Sequence, residues 1–339
     1  MSLALDPNRA IIVILTIALS PPGNLTLCLA AIEDYALGDP WGWPHPVRVM
    51  GWLIQKYTNL AIKLPPGYPR RVAGVFLGLG LIVGSGFFGW LVVWSLSVIH
   101  PWLGYIAEII LLASCFAGKS LKVAVKDVLG SLDPNNLNDA RDRLSLYVGR
   151  DTNNLSESEI LRALLETMAE NAVDGVTAPL GYAILGLLIP GIGSLPLAMA
   201  YKAASTLDSM VGYLKEPYTD LGWFSAQLED RLTWLPCRLT VLTLSLLSKK
   251  PQRVLAICRR DGVRDPSPNS GWSEAVYAAI LGVQLGGKNT YQGVVKEKPL
   301  LGDALEPISV AKIDEALNLT RYCFLLWLAI AIIINSYLN

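Results

Sequence analysis

Arg162, Glu166, Glu170 and Asp174 recur at i, i+4, i+8 and i+12, a spacing that sets all four on one face of a helix. Ser156 and Glu159 have the form of a capping box, which predicts that this helix begins near Glu157. Thr167 and Asn171 flank the stripe, and Leu161, Leu164, Leu165 and Met168 cover the opposite side. An ordinary amphipathic helix with a wet face accounts for the stripe about as well as a site does. Against that, three acids a turn apart repel one another, and only Arg162 offsets them within the helix. Magnesium uses such a surface, because it takes one or two carboxylates together with phosphate oxygens.

Four further clusters carry groups able to do chemistry. In Tyr201–Tyr213, Lys202, Ser205, Thr206 and Ser209 suit phosphate, and Asp208 suits a metal or an amine; a helix end with a snorkelling lysine is the blander explanation. Glu229-Asp230-Arg231, with Pro236 and Arg238, reads equally as a surface ion cluster. Asp34, Asp39 and His45 lie among turn residues, His45 between two prolines. Ser267-Pro268-Asn269-Ser270-Gly271-Trp272-Ser273-Glu274 is a turn that leads into an Ala-rich helix, with a structural loop as the blander explanation. Two runs are decoys. Gly84-Ser85-Gly86-Phe87-Phe88-Gly89 matches G-x-G-x-x-G, but it lies inside an apolar span instead of between a strand and a helix. The Gly118-Lys119-Ser120 run lacks the first glycine of a phosphate loop and ends an apolar helix.

The elements that must position these groups are membrane helices. Of the 339 residues, 52% are hydrophobic and 17% charged, against about a quarter charged in an ordinary globular domain. From Val72 to Gly118 the only charged side chain is Glu108, so the stretch divides into two spans, 72–99 and 101–118, with a turn at His100-Pro101. Residues 322–338 are predicted as a further span, 10–32, broken at Ser20-Pro21-Pro22-Gly23, as one kinked span or two short helices, and 176–200, interrupted at Ile189-Pro190-Gly191, as a broken helical hairpin. Arg70, Arg71, Lys119, Lys122, Lys126 and Arg321 assign segments 33–70, 119–175, 201–234 and 249–320 to the cytoplasmic side. The expected fold is all-α, a single polytopic membrane domain over 1–339 with cytoplasmic helices and loops, and no strand alternation long enough to predict a sheet. The N-terminus, without a basic n-region, is expected to belong to the mature protein.

Zero net charge gives no reason to expect nucleic acid. The five scattered cysteines and two histidines offer neither a disulfide framework nor a zinc site. A secondary transporter also uses broken helices, but buries ionisable groups within its spans. Here the acids crowd the polar segments, which favours an enzyme. A scaffold for corrinoid assembly leaves those acids unexplained.

Six blocks, in order over roughly residues 30–305, resemble the adenosylcobinamide-phosphate synthases of cobalamin biosynthesis, the CobD/CbiB family: 34–51, 149–152, 166–182, 201–213, 228–240 and 267–275. Such membership implies an amide ligase of the cytoplasmic membrane, active on its cytoplasmic face. It would join adenosylcobyric acid to (R)-1-aminopropan-2-ol or its O-phosphate, with ATP and Mg²⁺ expected, and other cobalamin-pathway enzymes are conceivable partners. On this reading Glu166, Glu170 and Asp174 handle the metal, Lys202 and Arg150 the phosphate, and Asp208 the amine. Asp34, Asp39, His45, Asp151, Asn171, Thr206, Ser209, Asp230 and Asn269 are expected to contact substrate.

Overall fold

The computed structural model describes residues 22–38 and 45–338. Asp39 and the first half of the expected span 10–32 lie outside them. Fourteen helices are named here in chain order: α1 (Pro22–Ala36), α2 (Pro46–Ala61), α3 (Tyr68–Ile99), α4 (Pro101–Ala113), α5 (Gly118–Gly130), α6 (Asn138–Ser145), α7 (Glu157–Asn171), α8 (Ala178–Leu188), α9 (Ser194–Val211), α10 (Tyr218–Leu221), α11 (Trp223–Leu247), α12 (Pro251–Asp261), α13 (Ser270–Leu281) and α14 (Val310–Leu338). Among the described residues, four stretches are long and apolar enough to cross a membrane: Tyr68–Ile99, Pro101–Gly130, Glu157–Leu188 and Val310–Leu338. The chain is an all-α polytopic membrane protein.

At about 1.5 Å per residue, α3 is on the order of 48 Å long and is the rail on which other helices are set. Phe76, Val83, Phe87, Trp90 and Trp94 stand exposed along it, a surface that suits lipid. Its glycines divide by function. A Cβ on Gly74 would lie 2.0 Å from the Leu221 carbonyl oxygen, and one on Gly86 2.8 Å from that of Pro196. Gly80 and Gly84 face open space. The G-x-G-x-x-G run is therefore continuous helix, two of its glycines packed against α9 and one unpartnered. Between α8 and α9 the chain reverses at 189–193, where Gly191 and Gly193 adopt φ of +83° and +81°. At the far end, Asn335 donates from Nδ2 to Asn24 Oδ1 (2.9 Å) and Asn24 donates to the Ser336 hydroxyl (2.9 Å), tying α14 to α1.

One element was not anticipated. Leu285–Tyr291 (β1) and Val294–Leu301 (β2) form an antiparallel hairpin. Gln292 and Gly293 both have positive φ (52° and 78°), which is what a two-residue turn matching the strand twist requires. The predictive signal was weak: strand residues include Gly286, Gly287, Pro299 and three lysines, and a Gln-Gly turn stands where Asn-Gly would announce a hairpin.

Gly74→Ala should lower the unfolding midpoint in detergent by several degrees, because backbone must move to admit the methyl. Gly84→Ala should leave it unchanged or raise it, since Ala is favoured over Gly in a helix by about 1 kcal/mol.

Candidate active site

The capping box is present: the Ser156 side chain accepts from the Glu159 N–H, and Glu159 accepts from the Ser156 N–H (2.8 Å). The acidic stripe of α7 then splits into different environments.

Glu166 is 1% exposed and both its oxygens are taken. Oε2 accepts from Arg150; Oε1 accepts from Arg162 (3.0 Å) and from the Gly286 N–H (2.8 Å). Arg162 also donates to the carbonyls of Gly286 (2.6 Å) and Lys288 (3.0 Å), and Arg150 to Asn289 Oδ1 (2.8 Å). Asp151 accepts from the N–H groups of Gln292 and Gly293 (3.0 and 2.8 Å) at the hairpin turn. So three residues expected to handle metal, phosphate or substrate, Glu166, Arg150 and Asp151, are engaged in fastening the hairpin to α7 and to the loop that precedes it.

Glu170 and Asp174 are placed otherwise. At Asn171 the α-helix widens into a π-helical segment, Ala172–Thr177, a form often found at functional sites. Its Gly175 carbonyl accepts from the Ala117 N–H (2.9 Å), which anchors the break between α4 and α5. Asp174, in this segment, lines a cavity of about 60 Å³ together with Glu170, Asp208 of α9, Glu229 and Asp230 of α11, and Asn269, Ser267, Ser270 and Ser273 at the start of α13. Five carboxylates from four segments meet in one small space. Lys202 supplies cationic charge near Asp174.

A proline helps aim one of them. Pro236 inside α11 has no N–H, so the Leu232 carbonyl loses its helical donor and accepts the Tyr182 hydroxyl instead (3.0 Å). Tyr182 stacks on Tyr201 at 4.8 Å, the Tyr201 and Thr233 hydroxyls share a 2.8 Å hydrogen bond, and Thr233 donates to Glu229. Asp208 leans over Gly212, where a Cβ would lie 2.1 Å from its Oδ1.

Burial, then the charges of Asp208, Asp230 and Glu170, push Glu229 up to about 7, against the Thr233 hydrogen bond. Burial, then Asp230 and Glu170, push Asp208 up to about 6. Burial also raises Asp230, with Arg231 opposing. Asn269 is buried; its Nδ2 donates to the Asp230 carbonyl (2.9 Å) while its Oδ1 has no hydrogen-bond partner among the described residues. Hard oxygens in excess fit a magnesium ion that also carries phosphate or water ligands. No three described His, Cys, Asp or Glu side chains stand close enough to cage an ion by themselves.

Other expected substrate contacts fall elsewhere. His45 caps α2, its Nδ1 accepting from the Val47 N–H (3.3 Å). Asp34 is buried beside Gly118 in an apolar cavity between α1, α5 and α14. Thr206 and Ser209 donate to the α9 carbonyls of Lys202 (2.7 Å) and Thr206 (2.9 Å). Asn171 donates to the Thr167 carbonyl (2.9 Å) and borders a second cavity, across Glu170 from the first. Lys298 was not anticipated as a site residue; Glu229 and Glu274 lay in clusters that sequence could equally read as a surface ion cluster and a structural turn, and neither was given a role.

Fold and site together define an integral membrane protein with an acid-lined polar centre among its helices. The chain belongs to the CobD/CbiB family: the family described as CobD/Cbib protein matches residues 27–320. It is 59% identical over 297 residues to the cobalamin biosynthesis protein CobD of Synechocystis sp., covering 87% of each chain. It is 40% identical over 319 residues to that of Halalkalibacterium halodurans (93% of this chain, 97% of the relative). Identity to the cobalamin biosynthesis protein CbiB of Salmonella typhimurium is 40% over 313 residues (91% and 96%). No solved structure matches significantly. The protein's role therefore lies in cobalamin biosynthesis.

Two outcomes follow from this geometry. Glu166→Ala strands two partly buried guanidinium groups and should cost about 3 kcal/mol, read by denaturant unfolding, with faster hydrogen exchange in 285–301. Asp208 and Glu229 bind protons more tightly in the folded protein than in the unfolded chain, so their stabilising protonation is present at low pH and lost as pH rises through about 6 and about 7. The unfolding midpoint of the ligand-free protein should therefore fall between about pH 4 and pH 7, and the Asp208→Asn/Glu229→Gln variant should flatten that slope.

Proposed function

We propose that the protein is an adenosylcobinamide-phosphate synthase, joining a carboxylate of adenosylcobyric acid to the amine of (R)-1-aminopropan-2-ol O-phosphate in an ATP- and Mg²⁺-dependent ligation. The observation that carries this reading is the meeting of Glu170, Asp174, Asp208, Glu229 and Asp230 in one cavity, beside a second cavity that contains Lys298 and Arg150. A free carboxylate does not condense with an amine in water unless it is activated. MgATP, when bound, supplies the phosphoryl group that activates it.

Glu170 and Asp174 would hold Mg²⁺ together with phosphate or water oxygens, and a cation there would relieve the repulsion among the acids. Asp208 and Glu229 also suit the acceptance of the amine proton, because a carboxylate raised toward neutrality is a stronger base than an ordinary one. As the amide C–N bond forms, the amine gives up a proton to that carboxylate and the activating phosphate departs with its electron pair. Glu166, Arg150 and Asp151 act by positioning, through the hairpin. The cavity of about 60 Å³ admits an ion and a terminal group but not a nucleotide or a corrinoid, so those larger partners lie over its mouth.

The site belongs on the cytoplasmic side of the membrane. Arg70 and Arg71 open α3, Lys119, Lys122 and Lys126 follow α4, and Arg321 lies in the first half of α14, which supports that placement by the positive-inside rule.

Mass spectrometry of detergent-purified protein given adenosylcobyric acid, aminopropanol phosphate and MgATP should show the condensed corrinoid, dependent on ATP. Glu170→Gln and Asp174→Asn should each slow its appearance by about 100-fold or more. Absence of product with ATP untouched would overturn the ligase reading.

A further inference from the structure

The cavity across Glu170 is larger, about 160 Å³, and its charge differs: Lys298 of β2 and Arg150 face it together with Glu170 and Glu274 of α13. We infer that this cavity seats the small amine substrate in its phosphorylated form, with Lys298 meeting the phosphate and Glu274 the ammonium, so that Lys298 selects the phosphorylated over the free aminoalcohol. The inference rests on the ligase reading above and names the subsite that reading leaves open.

Size restricts the occupant. The cavity has room for a short aminoalcohol phosphate and none for a nucleotide or a corrinoid. Charge restricts it further. Lys298 Nζ lies 3.2 Å from Glu274 Oε1, so cation and anion stand side by side, a dipole that a molecule with an anionic and a cationic end can match head to tail.

Glu274 is unfinished as a structural ion pair. It is 0% exposed, and its Oε2 is buried with no hydrogen-bond partner among the described residues, a costly arrangement that an ammonium's N–H donors would complete. Lys298 has three N–H donors, and Glu274 engages one of them. Arg150 cannot take the same part, since its guanidinium is committed to Glu166 and Asn289.

Location supplies the remaining argument. Glu170 borders both cavities, so an amine held against Glu274 lies one side chain away from the acids that would accept its proton. Lys298 reaches the cavity only because β2 is paired to β1, and β1 is fastened to α7 through Glu166 and Arg162. The hairpin thereby has a purpose: it delivers a cation to a pocket otherwise rich in acids.

Isothermal titration of the full-length protein in detergent, without ATP or corrinoid, tests this with (R)-1-aminopropan-2-ol O-phosphate as probe and the free aminoalcohol as comparison. Lys298→Met should weaken the phosphorylated probe by about 10-fold or more and leave the free aminoalcohol unchanged, Lys298→Arg should restore binding to within a few-fold, and Glu274→Gln should weaken both ligands. Thermal unfolding verifies that each variant is folded, and Lys298→Gln replaces Lys298→Met if the latter is not. Unchanged affinity for the phosphorylated probe without the Lys298 charge, or no binding to the wild-type protein with or without the other substrates, would overturn the subsite. Amide formation with unaltered Lys298→Met binding would sink the subsite and leave the ligase standing. Lys298-dependent binding with no amide formed would do the reverse.

Discussion

A carboxylate that is cut off from water must be paired, and Glu166 is paired three times over. Burying one charge unpaired costs several kcal/mol, and that cost recruits both Arg150 and Arg162. Each arginine has donors left over, and these reach carbonyls and the Asn289 amide on the hairpin. Gly286 makes the junction feasible. At φ +84°, with the Pro299 carbonyl 1.9 Å from where a Cβ would sit, it brings strand backbone against the carboxylate as other residues could not. The contact joins the acid-bearing helix to the lysine-bearing strand.

On the other side of α7 the same physics runs in reverse. Glu170, Asp174, Asp208, Glu229 and Asp230 are crowded into one space, and the raised proton affinities of Asp208 and Glu229 record the cost. Packing elsewhere offsets it: a large apolar cluster gathers α7, α11, α13 and α14 around residues such as Leu165, Met168 and Tyr277. Strain held at one place by stability supplied at another is the usual trade-off at a working site.

The membrane helices take part in this scaffold. The α8–α9 hairpin packs on α3 through Gly86 and Gly89, and α9 carries Lys202 and Asp208 back toward the acids. Pro236 frees a carbonyl that ends up fixing Glu229 through two stacked tyrosines.

Local and one-dimensional features were legible in the sequence. Charge depletion between Val72 and Gly118 dictates membrane helices, the Ser156–Glu159 box dictates where α7 starts, and six ordered blocks carry the family, because each depends on neighbours in the chain. Tertiary structure decided which acids share a space. One helical face, read as a single stripe, divides when Glu166 meets two arginines and a strand while Glu170 and Asp174 meet α9, α11 and α13. The hairpin, and with it Lys298, was hidden for the same reason: its strands are weak formers held by Arg162 and Asp151, residues more than a hundred positions away. Periodicity reports a side chain's direction from its own helix. The partner it meets there is settled by long-range packing and by the pairing that each buried charge requires.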